Sequence, residues 1–366
     1  MPAQSWIGVG ERVREARLAT SHTQQDVATA LNIDRSAVAR IEAGTRQITA
    51  LELFALADLL SVPVGHFVAS PTPSMVSRRR PITEDADSVT RSRFRLDVEL
   101  ETQARDLSWL TEHGFLEALP GMVVGYGPVA DDLQARELAA EARGRLGVGE
   151  GPLGSMLDVC AAFGMHLRVA AGHEAGASLI LDQGLAAAVV GGADEPGRRR
   201  ATAAHELGHV LLNDEYTSDL GVAASRDERE QVMDAFAAEF LLPTTVVVRA
   251  WTGGTEGRSD RQRLIRLAGE YRVSWTTVVR TACAAGVIDG AAARRLQSVV
   301  PTRGDFLQAW GQAPEPDLVK GVSRQWQAAV LEAYTDEAIT SRRAVELLHG
   351  DLTVDELPQL ADPFTG

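Results

Sequence analysis

Cysteine is scarce in this chain: 366 residues carry two, Cys160 and Cys283. They lie far apart among apolar neighbours, which excludes a disulfide framework or a cysteine-built metal site and predicts buried free thiols of a reducing compartment. Long apolar runs are missing as well. No stretch is apolar for long enough to span a bilayer. Near the start, Glu11, Arg12, Arg14, Glu15 and Arg17 interrupt the place where a signal sequence would carry its apolar centre. Positive charge is short too, with a net charge of −14, which argues against non-specific coating of nucleic acid. Lysine is nearly absent, since Lys320 is the single one among 36 basic residues. That bias excludes nothing. There is no internal repeat and no glycine motif that would cradle phosphate. What remains is an acidic chain with length enough for two or three domains, expected to be cytoplasmic and without membrane contact.

The most informative stretch present is His205-Glu206-Leu207-Gly208-His209, between Ala201-Thr202-Ala203-Ala204 and Val210-Leu211-Leu212. Good helix formers and no proline predict a helix. Residues four apart share a helix face, so His205 and His209 can reach one metal ion. Glu206 stands about 100° round the axis from His205, beside the ion and able to take a proton from water. This is the H-E-x-x-H pattern of zinc peptidases. A blander alternative is a buried helix whose two histidines are satisfied by backbone or carboxylate partners.

A third ligand is available downstream. Val232, Met233, Phe236, Ala237, Phe240 and Leu241 recur at mixed three- and four-residue steps, which predicts a second buried helix ending at Pro243. Glu230 and Asp234 are four apart on one face of it. A carboxylate there is costly to bury unless it is paired or binds metal. Catalytic zinc commonly takes two histidines, one glutamate and an open position, which Glu230 would complete. Asp234 would accept the other ring N–H of a ligating histidine. Glu239 competes for the ligand role, and Glu230 as a surface or capping residue at the helix start is the plain alternative.

Both segments resemble the ImmA/IrrE family of metallopeptidases, through Arg200-Ala201-Thr202-Ala203-Ala204-His205-Glu206-Leu207-Gly208-His209 and through Glu230 with Asp234-Ala235-Phe236-Ala237-Ala238-Glu239-Phe240-Leu241-Leu242-Pro243. By that resemblance the first glutamate of the second helix, Glu230, is the third zinc ligand. Met233 departs from the alanine usual in the family one position before Asp234. The likeness spans roughly residues 130–300, with a helix expected over Leu153 to Phe163 and strands over Met165 to Ala170, Ala177 to Leu181 and Leu185 to Val190.

A separate signal occupies Gly10 to Phe67, a series of short amphipathic helices. Thr23 is a fitting N-cap for Gln24-Gln25-Asp26-Val27-Ala28, with Asp26 at the capping-box position. Asn32 closes that helix, Asp34 or Arg35 opens the next, and Gly44 ends it. Two short helices joined by a tight turn make a helix-turn-helix, whose second helix can enter the DNA major groove. The stretch is similar to the Cro/repressor-type family, and by that similarity Gln24, Arg35, Ser36 and Arg40 face DNA. Residues 1–70 hold six arginines against seven acids, so affinity would rest on the local patch of Arg35, Arg40 and Arg46. The alternative is a helical protein-interaction module.

These readings predict a mainly α chain with a small β-sheet, of α+β class. Residues 1–70 form the helix-turn-helix domain, 71–125 a linker and connecting helix that is helical over Thr90 to His113, and 126–258 the metallopeptidase domain. Residues 259–300 form a helix-turn-helix-like appendage read as packing, and 301–366 a helical end over Phe306 to Leu360, with a helix pair after Ile339. The linker holds Pro71, Pro73, Pro81 and Arg78-Arg79-Arg80. The expected function is a DNA-binding regulator whose Zn2+-dependent endopeptidase cleaves a repressor-type protein, in trans or itself, in a stress, phage or mobile-element response. The partners are a double-stranded operator, that repressor, and for a two-fold operator a second copy as homodimer. The alternative function is a regulator that cleaves nothing and whose zinc domain senses a ligand or partner. Tyr216 would either stabilise an oxyanion or lie on the surface.

Overall fold

The computed structural model describes residues 5–69, 88–117, 131–172, 175–181, 184–212, 223–253 and 257–360. The Pro-rich stretch with Arg78-Arg79-Arg80, and Tyr216, lie outside the described residues. Helices dominate, and the described residues include one three-stranded sheet, in agreement with the α+β expectation. The chain divides into two compact units, one built on residues 1–106 and one on residues from 107 onward.

The first unit contains α1 (Trp6–Ala19), α2 (Gln24–Leu31), α3 (Arg35–Glu42), α4 (Ala50–Leu60) and α5 (Val64–Val68), while α6 (Ser88–Glu112) adds Phe94 and Val98 to its core. Thr23 caps α2 in the expected way. Its hydroxyl accepts from the Asp26 amide at 3.1 Å, and the Asp26 carboxylate accepts from the Thr23 amide at 2.7 Å. Each such reciprocal pair satisfies two of the amides that a helix start leaves open. Asn32 then turns the chain with φ 52°, and the Ile33 amide reaches back to the Ala28 carbonyl at 3.0 Å. Ser61-Val62 and Arg272-Val273 end their helices in the same Schellman manner, each burying its valine. The device aims each following helix back at the core, here filled by Val13, Val27, Val38, Ile41, Leu56 and Phe67.

The second unit opens with α7 (Asp132–Arg145), α8 (Met156–Ala161), β1 (Met165–Ala170), β2 (Gly176–Ile180) and β3 (Ala186–Gly191). The helices α9 (Pro196–Leu211), α10 (Ala223–Leu241), α11 (Thr244–Thr252), α12 (Asp260–Tyr271), α13 (Trp275–Ala284), α14 (Gly290–Gln297), α15 (Arg303–Trp310), α16 (Arg324–Thr335) and α17 (Ser341–Leu347) follow. Three expectations about helices change. The helix expected from Leu153 begins only at Met156, because Pro152 and Gly154 oppose helical backbone just before it. The stretch between α15 and α16 is not helical, since Pro314 and Pro316 withhold amide donors there. The partner expected after α17 is a single 3-10 turn, Val354–Glu356. Cys160 is buried as expected, but Cys283 is only half-buried.

β3 is the central strand, parallel to β1 from Met165↔Ala186 to Ala170↔Gly191 and antiparallel to β2 from Gly176↔Val190 to Ile180↔Ala186. All six of its residues are buried, and its small Ala186-Ala187-Ala188 leaves room for close packing. β2 rests against α9, α9 against α10, and α10 against α7. Gly208 sets the approach of α9 to α10. A Cβ there would lie 2.9 Å from the Phe236 ring and 3.0 Å from the Met233 sulfur. That contact also explains why a bulky methionine fits at position 233. No single helix among the described residues is long and apolar enough to cross a membrane.

Candidate metal centre

α9 starts with Pro196 in its first turn, a position where the missing N–H has no helical partner to lose. Ala203, Ala204, Leu207, Val210 and Leu211 bury it against the core. The face left over carries His205, half-buried, and His209, buried. Their Nε2 atoms stand 3.2 Å apart. The Oε2 atom of Glu230 lies 3.1 Å from His205 Nε2, and donor atoms from all three residues fall within 4.8 Å of one another. Two ligands about 2.1 Å from a tetrahedral zinc stand about 3.4 Å apart, so the two imidazole nitrogens have nearly the spacing such an ion imposes. Two nitrogens and one carboxylate oxygen also match the donor set common in catalytic zinc.

Glu230 lies inside α10, because that helix begins at Ala223, seven residues before it. It is therefore not a helix-start cap. Asp234, one turn on, places Oδ1 3.1 Å from His205 Nδ1, so the ring is held from both sides. Burial works against a charged His205, but its hydrogen bonds to Asp234 and Glu230 and the charges of Glu206 and Glu230 outweigh burial and push its pKa up to about 10. A negative field this strong around an imidazole is what a divalent cation would neutralise. Glu239 lies elsewhere: it accepts from the Thr244 amide at 3.0 Å and from the Thr244 hydroxyl, binding the start of α11.

Glu206 meets the sheet, and its charge also acts on His205. It is buried, and its Oε2 accepts from the Ser178 hydroxyl of β2 at 2.6 Å. Gly176 on the same strand permits this, because a Cβ there would come 3.2 Å from Glu206 Cγ and 2.6 Å from Thr202 Cγ2. Sequence reasoning did not find Ser178 or Gly176. The only available sign was a hydroxyl inside an otherwise apolar strand, which many strands carry. It also missed Arg280 of α13, whose Nη1 stands 3.8 Å from Asp234 Oδ2.

In the first unit, Arg35, Ser36 and Arg40 are exposed along α3. Gln24 donates from Nε2 to Glu42 at 2.8 Å, and Glu42 also pairs with Arg17 at 2.5 Å. Arg46 is tied to Glu52 at 2.6 Å. The free cationic surface of the pair α2–α3 thus rests on Arg35 and Arg40 more than on Arg46.

Residues 13–67 match the family model described as Helix-turn-helix. Residues 171–282 match the IrrE N-terminal-like domain, a peptidase family, and this range takes in β2, β3, α9, α10 and Arg280. No curated protein matches the chain. In N-to-C order, then, a segment similar to the Cro/repressor-type helix-turn-helix family precedes one similar to the ImmA/IrrE peptidase family.

Proposed function

We propose that this chain is a DNA-binding transcriptional regulator whose second unit is a zinc-dependent endopeptidase acting on a repressor-type protein. The observation that carries the reading is the convergence of His205, His209 and Glu230, whose donor atoms lie within 4.8 Å of one another, with the Glu206 carboxylate near enough for its charge to act on His205. Zinc held by these three residues would supply Lewis acidity toward the scissile carbonyl and the attacking water. The remaining work falls to this chain's own groups. Asp234 holds the His205 ring in one tautomer through Nδ1. Glu206 takes the proton of the attacking water and returns it to the departing amine. Ser178 keeps that carboxylate aimed. Arg35, Ser36 and Arg40, exposed on α3, supply contacts to phosphate and base edges. Cleavage of a repressor would switch on a stress, phage or mobile-element programme.

The test is incubation of the purified chain with the products of its neighbouring genes, with and without chelator. We expect a discrete cleavage that chelator abolishes. Glu206→Gln should retain zinc by elemental analysis and cleave nothing, and His205→Ala should lose both. Normal cleavage by Glu206→Gln removes that residue from the chemistry. Stoichiometric zinc with no cleavage of any neighbour favours a metal-dependent sensor instead.

A further inference from the structure

We infer that Arg280 is a positioning residue of the metal centre, holding Asp234 so that Asp234 holds His205. The inference rests on the zinc reading above and extends it to α13, a helix of the helix-turn-helix-like appendage that the sequence reading assigned to packing. Thr276, Arg280 and Ala284, spaced four apart, form the exposed stripe of α13. A groove-reading helix would turn such a stripe to DNA. Here its one charged member reaches the peptidase site instead.

The two oxygens of Asp234 are divided between neighbours. Oδ1 lies 3.1 Å from His205 Nδ1, and Oδ2 lies 3.8 Å from Arg280 Nη1. Asp234 is half exposed and Arg280 more so, at 50% and 63% of their side chains. A half-exposed aspartate can swing among rotamers, and each swing lets the imidazole turn with it. A guanidinium fixing the second oxygen narrows that freedom, and ring orientation is what outer partners give a metal-binding histidine. The pair is exposed, so its effect is modest. There is also an opposing effect, because the guanidinium repels a bound cation directly. The two effects separate cleanly: repulsion persists without Asp234, whereas positioning does not.

Zinc affinity of the full chain, measured by competition with a chromogenic chelator, tests this. Asp234→Ala is expected to weaken zinc about tenfold to a hundredfold. Arg280→Met should weaken it about three- to fivefold in the unaltered chain, and Arg280→Lys less. With Asp234→Ala already present, Arg280→Met should cause no further loss, or a slight gain as repulsion disappears. The visible bands of the cobalt-substituted protein should shift in the same direction for both single variants. Circular dichroism checks that Arg280→Met folds, which its exposure favours. Equal losses in both backgrounds overturn the inference, and so does unchanged zinc affinity in the Arg280→Met chain, with or without a raised KM. A zinc-holding chain indifferent to Arg280 removes this inference alone, whereas an unaltered chain that holds no zinc removes the zinc reading with it.

Discussion

His205 meets a carboxylate at each ring nitrogen, Asp234 at Nδ1 and Glu230 at Nε2, both at 3.1 Å. Without an ion, that arrangement favours a doubly protonated ring, and its pKa rises from 6.5 to about 10. The sign of the pH dependence follows. The folded pKa lies above the unfolded one, so the protonated ring contributes its full stability below pH 6.5 and loses it as pH climbs through about 10. Metal-free protein should therefore have a falling denaturant midpoint across that window, and His205→Gln should flatten the slope. Zinc displaces the same proton, so its affinity should rise over the same pH range. A metal-free midpoint that rises with pH, or a slope that His205→Gln leaves intact, contradicts this account. At this scale the sequence was partly legible. Two histidines four apart announce themselves through local helix geometry, but Ser178 and Arg280 carry no local signature. Ser178 reaches Glu206 across 28 positions, and Arg280 reaches Asp234 across 46.

Among the elements, the α9–α10 crossing decides whether Glu230 comes near the histidines at all. Gly208 lies where the Phe236 ring and Met233 sulfur press on α9. A side chain there must push the helices apart or force its neighbours off their rotamers, at a cost of about 1–3 kcal/mol. We expect Gly208→Leu to lower the thermal midpoint and to reduce bound zinc, since Glu230 would retreat with α10. Full zinc content in a folded Gly208→Leu protein would mean that another contact sets the crossing. Most helices were readable from their own residues, because caps and apolar periodicity act within a few positions: Thr23 with Asp26 and the Val232-to-Leu241 pattern both recur in the structure. The failures cluster at prolines, where Pro152, Pro314 and Pro316 cut helices that periodicity alone would extend.

Within the second unit, the chain beyond the matched segment grips α9, the helix that carries His205 and His209. Arg199 donates to the Leu318 carbonyl at 2.6 Å, and Arg200 pairs with Asp317, which also accepts from the Met156 amide at 3.1 Å. Arg200 is fully buried, and burial pushes its pKa down to about 10 despite the opposing Asp317 charge. Removing the carboxylate would leave a buried cation without its counter-charge. Asp317→Ala should therefore destabilise the second unit by about 3–5 kcal/mol, whereas the apolar pair Arg200→Met with Asp317→Leu should recover most of that loss. Denaturant unfolding of the three proteins decides it, and a neutral Asp317→Ala would show that the tether is dispensable. Arg200 belongs to the motif that resembles the peptidase family, yet nothing in its neighbourhood of sequence names Asp317 as its partner.

By itself the sequence determined the helices, their caps, the α+β class and the placing of two imidazoles and a carboxylate on predictable helix faces. Each of those depends on residues within about one or two turns of one another. Tertiary structure alone decided that Glu230 meets His205, that Ser178 donates to Glu206, that Arg280 meets Asp234, and that Asp317 meets Arg200 of α9. Those contacts depend on how apolar faces pack and how closely Gly176 and Gly208 let neighbouring elements approach. Packing is a property of surfaces brought together from distant parts of the chain, and it leaves no periodic trace in any one of them.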